Sequence, residues 1–238
     1  MRLFHLEWKK INKKPYLGAA LGMAVFSLFV AMLFMFMPEE EMELSQMETT
    51  WGTITTLVSC VTFAEYAIFG AVLNARTVLE DYIGKQVLLL FSYPVRRGQL
   101  IRTKMTITWG LTAAGALISN LAALLAAAAV SVIFSPLDTG FGVSEALTVL
   151  VYSAGMAVMA GNIAVISLWF GFWKSSVVVE IVSSLIIIIP LTNMLSASLF
   201  SGGMIGYVFL LSAVFITLAA GALVFGRMKH RVENMEVR

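Results

Sequence analysis

The sequence predicts an all-α membrane protein: six transmembrane helices, an N-terminal interfacial amphipathic helix before them, and a short cytoplasmic helix between the second and third. Three observations carry that expectation. The 238 residues are 59% hydrophobic and 13% charged, where a soluble domain has about 45–50% apolar and about 25% charged residues. Six apolar stretches are long enough to cross about 30 Å of hydrocarbon as helices. The basic residues all fall on one side of those stretches.

Residues 1–14 read as a basic amphipathic helix ended by Pro15. At 100° per residue Met1, Phe4, Trp8 and Ile11 share a face, and the lysines lie mostly away from it. Leu3 and Leu6 fall off that stripe. One reading is an interfacial helix in contact with lipid or a partner; the other is an ordinary basic flank that sets topology.

The spans are placed at 16–37, 54–73, 105–134, 147–172, 176–199 and 204–225. Helix is the form that satisfies the backbone within each segment in lipid. Pro190 interrupts the fifth, and Thr192, Asn193, Ser196 and Ser198 weaken its apolar run, so its last third either crosses or re-enters. Gly18/Gly22, Gly202/Gly206 and the alanines of 122–129 have the spacing of close helix contacts. Trp51, Trp169 and Trp173 lie near span ends, as in an aromatic belt.

Charge then sets orientation. Arg2, Lys9, Lys10, Lys13 and Lys14 precede the first span, and Arg76, Lys85, Arg96, Arg97, Arg102 and Lys104 lie between the second and third. Lys174 joins the fourth and fifth, and Arg227, Lys229, Arg231 and Arg238 follow the sixth, which accounts for all 16 basic residues. Glu39, Glu40, Glu41, Glu43, Glu48, Asp138 and Glu145 go to the other side. Basic flanks stay cytoplasmic on insertion, so both termini are expected inside a plasma membrane. The longest loop, 74–104, is too short for a catalytic core of its own. Residues 1–238 therefore read as one membrane domain.

That loop carries the most information. Thr77 and Glu80 have capping-box spacing, predicting a short helix to about Ser92, broken by Pro94. The run 87–91 is too short to span and too apolar for a bare loop, so it should be buried against membrane, protein or a second subunit.

The string Asp81-Tyr82…Lys85…Leu90-Phe91-Ser92-Tyr93-Pro94-Val95-x-Arg97-x-x-Leu100-Ile101-x-x-Lys104 resembles the cytoplasmic loop of type 2 ABC exporter permeases. The resemblance is closest to small six-span permeases of Gram-positive bacteria, including those linked to antimicrobial-peptide immunity and export. It covers about 25 residues of sequence. The family often has glutamate where Asp81 stands and a hydroxyl residue where Gln86 stands, and both departures bear on which ATPase is accepted. The resemblance implies a permease half, paired with a second copy or a sister subunit. Separate ATPase chains would carry the ATP and Mg and dock on a coupling helix in this loop. The docking residues would be Glu80, Asp81, Ile83, Gly84, Val87, Leu88, Leu89, Leu90, Phe91, Pro94 and Arg97. The implied cargo is amphiphilic or antimicrobial-peptide-like.

This chain has no G-x-x-x-x-G-K-[ST] loop, so it is not expected to bind ATP or act as an enzyme by itself. One cysteine, Cys60, and two histidines at opposite ends exclude a cysteine or histidine metal cluster. No cofactor and no nucleic-acid partner are expected.

Two acids lie within spans. Glu65 is midway along the second, far from any cation, and Glu180 is one turn into the fifth, where Lys174 or water could satisfy it. Glu65 is either a coupling or passage residue or a hydrogen-bonding group that holds helices together. Asn120 and Asn162 read as interhelical hydrogen bonds. An ion-coupled carrier or channel using Glu65 is the alternative function. A membrane-embedded enzyme is a third, with few acid–base candidates and neither G-x-S-x-G nor H-E-x-x-H.

Overall fold

The computed structural model describes residues 2–10, 13–37, 50–83, 97–134, 141–197 and 203–233. Among them the elements are α1 (Arg2–Lys10), α2 (Lys13–Met35), α3 (Trp51–Asn74), α4 (Arg97–Phe134), α5 (Val143–Lys174), α6 (Val177–Ala197) and α7 (Gly203–Glu233), with no strand. Helices α2 to α7 are the six that are long and apolar enough to cross a membrane, which makes this a multi-pass membrane protein by length and composition.

Two helices form the centre. The apolar windows of α3 and α5 are 61% and 67% buried, against 11% in α2 and 17% in α6 and α7. The close approach depends on Gly70, where a Cβ would come within 2.7 Å of both the Ala164 Cβ on α5 and the Thr112 hydroxyl on α4. One turn on, the Asn74 amide donates to the Ala164 carbonyl at 2.7 Å, tying α3 to α5 without a lipid-exposed polar atom.

The ends segregate as the charges do. At one end Trp51 meets Phe141 edge-to-face at 5.0 Å, and the hydroxyls of Thr148 and Tyr207 share a hydrogen bond. At the other, the Arg102 guanidinium lies 5.6 Å from the Phe225 ring centroid and that of Arg231 lies 5.4 Å from the Trp169 ring. We call this the basic end.

Three helices run well beyond the expected spans there. α4 starts at Arg97 rather than 105, α7 continues to Glu233 rather than 225, and α3 passes through a π-helical turn (Ala75–Leu79) and a 3-10 turn (Glu80–Tyr82). With 38 residues, α4 is about 57 Å long. The extensions cohere because Val78, Leu79, Tyr82, Ile101, Met105, Met228 and Val232 pack together with Leu168 and Phe172.

Other boundaries also move. Pro15 does not end a helix; it sits in the first turn of α2, where its missing N–H costs nothing. α6 continues through Pro190 to Ala197, and Thr192 and Asn193 donate to the carbonyls of Ile188 and Ile189 within the same helix. A two-residue turn at Ser175 and Ser176 reverses α5 into α6, with Ser175 in the left-handed region at φ 49°. Gly18 and Gly22 face open space rather than a helix of this chain, whereas Ala123 and Ala127 pack in the core with Ala31. Trp51 is buried, and of the other two belt candidates only Trp173 is largely exposed.

Candidate functional site

The loop that carries the sequence motif leaves and returns through one joint at the basic end. Lys104, four percent exposed, lies two turns into α4 and forms an ion pair with Asp81 at the end of the α3 extension. Its ammonium also donates to the Thr77 carbonyl at 3.1 Å and approaches Glu7 of α1 at 3.6 Å. The cation faces the last turns of the α3 extension, where the helix dipole favours positive charge. One side chain thus joins the N-terminal helix, the second span and the third.

The expected coupling helix does not start at Thr77. Residues 75–82 remain helical in continuity with α3, and the Thr77 hydroxyl donates back to the Leu73 carbonyl at 2.6 Å instead of capping a new helix. The capping-box spacing misleads because no chain break precedes Thr77. Of the residues expected to dock an ATPase, Glu80 is exposed, Asp81 is held by Lys104, and Ile83 packs half-buried beside Tyr82. Arg97 opens α4. Gly84, Val87, Leu88, Leu89, Leu90, Phe91 and Pro94 lie outside the described residues. In α1, Trp8 is half-buried and Leu6 is exposed; Ile11 and the Phe4 side chain are likewise outside the described set.

A second cluster lies midway along α3 around Glu65. Ser27 of α2 donates to the Glu65 carboxylate at 3.2 Å. Thr62 lies within 3.2 Å of the Ser27 hydroxyl and 3.3 Å of the Asn120 carbonyl oxygen. The Asn120 amide in turn donates to Ser59 at 2.8 Å and to Ser153 at 2.9 Å. Polar side chains of four helices thus gather beside a carboxylate whose second oxygen is buried without a partner among the described residues, and the single Thr62 proton serves Ser27 or Asn120 but not both at once. Beside this cluster, in a separate set of bonds, the Tyr66 hydroxyl donates to the Ala20 carbonyl and shares a hydrogen bond with Ser119. Sequence reading singled out Glu65 and Asn120 and missed the rest. The spacing Thr55, Ser59, Thr62, Tyr66 marks one polar stripe on α3 and was the available signal. Ser27 had none.

Glu180 is fully buried, with neither carboxylate oxygen hydrogen-bonded among the described residues. Lys174 does not satisfy it; that ammonium lies 5.5 Å over the Trp173 ring, on an exposed surface. Glu180 instead packs on Gly171, where a Cβ would come within 2.9 Å of its own Cβ and 3.0 Å of Leu79. Such a carboxyl is costly in the bundle. It sits where α5, α6 and the α3 extension meet. Glu65 and Glu180 belong to separate clusters. Among the described residues no group of three His, Cys, Asp or Glu side chains could hold a metal.

No family model matches the chain, and no solved structure does. The chain is similar to the uncharacterized protein YcbO of Bacillus subtilis (strain 168), 27% identical over 199 residues that cover 81% of this chain and 84% of that one.

Proposed function

We propose that the chain is the transmembrane permease subunit of an ATP-driven ABC exporter in the plasma membrane, with both termini and the basic end in the cytoplasm. The observation that carries this reading is the Asp81–Lys104 pair. These are the first and last residues of the string that resembles the family's loop, and their contact makes the segment between them a lever on two spans at once. An ATPase seated on residues 84–96 would act on α3 and α4 through one joint, and on α1 through Glu7. ATP and Mg would stay on the ATPase, and a second copy or a sister subunit would complete the pathway. No lysine, arginine or histidine lies in the apolar middle of the spans, which suits an amphiphile or cationic peptide better than a strongly anionic cargo.

The test is purification from the native membrane in mild detergent. A co-purifying chain with a G-x-x-x-x-G-K-[ST] loop and Mg-dependent ATP hydrolysis is the expected result. A pure, functional preparation without any ATPase contradicts the reading.

One observation favours a second reading. The polar cluster of Ser153, Asn120, Thr62 and Ser27 beside Glu65 is what an ion-coupled carrier would need along its spans. Ion-gradient-driven transport by the chain alone would support it.

A further inference from the structure

Glu180 has no exposed surface, and neither carboxyl oxygen is hydrogen-bonded among the described residues. A Cβ at Gly171 would lie 3.0 Å from Glu180 Oε2 and 3.0 Å from a Leu79 methyl. The carboxyl, α5 and the α3 extension therefore meet at one point. A charge there would be dry and unpaired, so only the neutral acid fits this packing.

No neighbouring cation changes that. Helix α6 packs on α5, on α3 with its extension, and on α7. On α5 the Lys174 ammonium lies over the Trp173 ring on the exposed surface. On the α3 extension Arg76 and Glu80 are exposed, Asp81 is held by Lys104 of α4, and the Tyr82 ring packs on Phe172. Glu65 lies several turns back along α3, in its own cluster. On α7 Arg227 and His230 are exposed, and Arg231 lies over Trp169. α6 itself has no other titratable residue.

Water is close, and the backbone beside the acid is easy to rearrange. The Glu180 N–H donates to the Ser176 carbonyl at 3.3 Å, so one helical turn, about 5 Å, separates the acid from the α5–α6 turn. Lys174 and Ser175 are exposed there, and Ser175 holds the left-handed conformation that disfavours a residue with a Cβ. On the other side, Leu79 ends the π-helical turn, and the 3-10 turn follows at once. Such a change of hydrogen-bond register is where a helix bends most readily.

We infer that Glu180 is a proton-operated latch at the basic end. As the neutral acid it seals α5 and α6 onto the α3 extension. On giving its proton to water it parts that contact, with the α5–α6 turn and the π-helical turn as hinges. Asp81 stands at the end of the same extension, so the latch sets how firmly the base of the loop is held. The inference does not depend on an ATPase partner. Opened to water, the carboxyl ionises in the ordinary range near ~4.3, while the closed form keeps the proton. Rising pH therefore favours the open form, with a limiting slope of about tenfold per pH unit.

The test is hydrogen–deuterium exchange of the full-length protein in detergent at pH 6 and pH 8, corrected for the intrinsic pH dependence of amide exchange. In the wild type, opening of residues 75–83 and 168–180 should rise by at least about tenfold across that interval. Residues 52–66 of α3 should not respond. Glu180→Gln, the uncharged counterpart of the neutral acid, and Glu180→Met, apolar and of similar size, should stay closed at both pH values. Wild-type protection of 75–83 and 168–180 that is the same at pH 6 and pH 8 overturns the latch. So does a folded Glu180→Gln or Glu180→Met variant that keeps the wild-type response.

Discussion

Lys104 and Asp81, separated by the entire loop that resembles a coupling segment, form an ion pair in which the lysine is almost fully buried. The pair closes the loop at its base, and Glu7 approaches the same ammonium from α1.

Asp81→Asn should destabilise the protein by on the order of 2 kcal/mol, below the usual ~3–5 for a fully buried pair because Asp81 keeps some solvent contact. Lys104→Met combined with Asp81→Asn should be less damaging than Asp81→Asn alone, since no buried charge is then left facing an amide. Thermal unfolding in detergent measures both. An Asp81→Asn variant as stable as wild type would show that the pair contributes nothing.

Gly70→Ala and Gly161→Ala should each cost about 1–3 kcal/mol, because their new methyls meet Thr112 and Ala164, or the Trp109 ring, at less than 3 Å. Gly18→Ala meets nothing within 4 Å and should be neutral or slightly stabilising. The contrast between interior and lipid-facing glycines is read in the same unfolding assay.

Glu65→Gln keeps an acceptor for Ser27 and should fold and assemble normally. If the carboxylate acts as a charge, transport stops in this variant. Ser27→Ala removes only the hydrogen bond, should cost about 1 kcal/mol, and should leave transport running. A fully active Glu65→Gln makes the cluster purely structural.

Orientation can be read by thiol labelling, since Cys60 is the lone cysteine and is buried. In a Cys60→Ser background, cysteines at Glu41 and Ser45 should react with an impermeant reagent on intact cells. Cysteines at Lys13, Arg97 and Lys229 should react only once the membrane is opened. External labelling of Lys229→Cys contradicts a cytoplasmic C-terminus.

The six helices were legible because about twenty apolar residues in a row have one stable form in lipid. Their lengths were not. Charges at Arg76, Arg102 and Lys104 look like the end of a span, yet Val78, Leu79, Ile101 and Met105 around them keep helical spacing and build a further packed layer. Thr77 and Glu80 matched a helix start, but a capping pattern means nothing without a break before it. Glu65 was conspicuous as a lone acid, whereas Ser27, its donor, is an unremarkable hydroxyl until α2 is placed against α3. Trp109 and Asn162 are 53 residues apart. Asn162 reads from the sequence as an interhelical hydrogen bond, and only the packing of α4 on α5 gives Trp109 as its partner.

The central claim is that an ATPase docks on the segment between Asp81 and Lys104, and Leu89→Asp with Leu90→Asp tests it most directly. Both positions lie outside the six membrane-length helices, so the variant should insert and fold, while an ATPase surface would meet two unpaired charges. Pull-down from detergent, with transport measured in parallel, should show loss of the ATPase and of transport, with Arg238→Asp unchanged in both. A double aspartate variant that keeps a tightly bound, transport-competent ATPase would contradict the account.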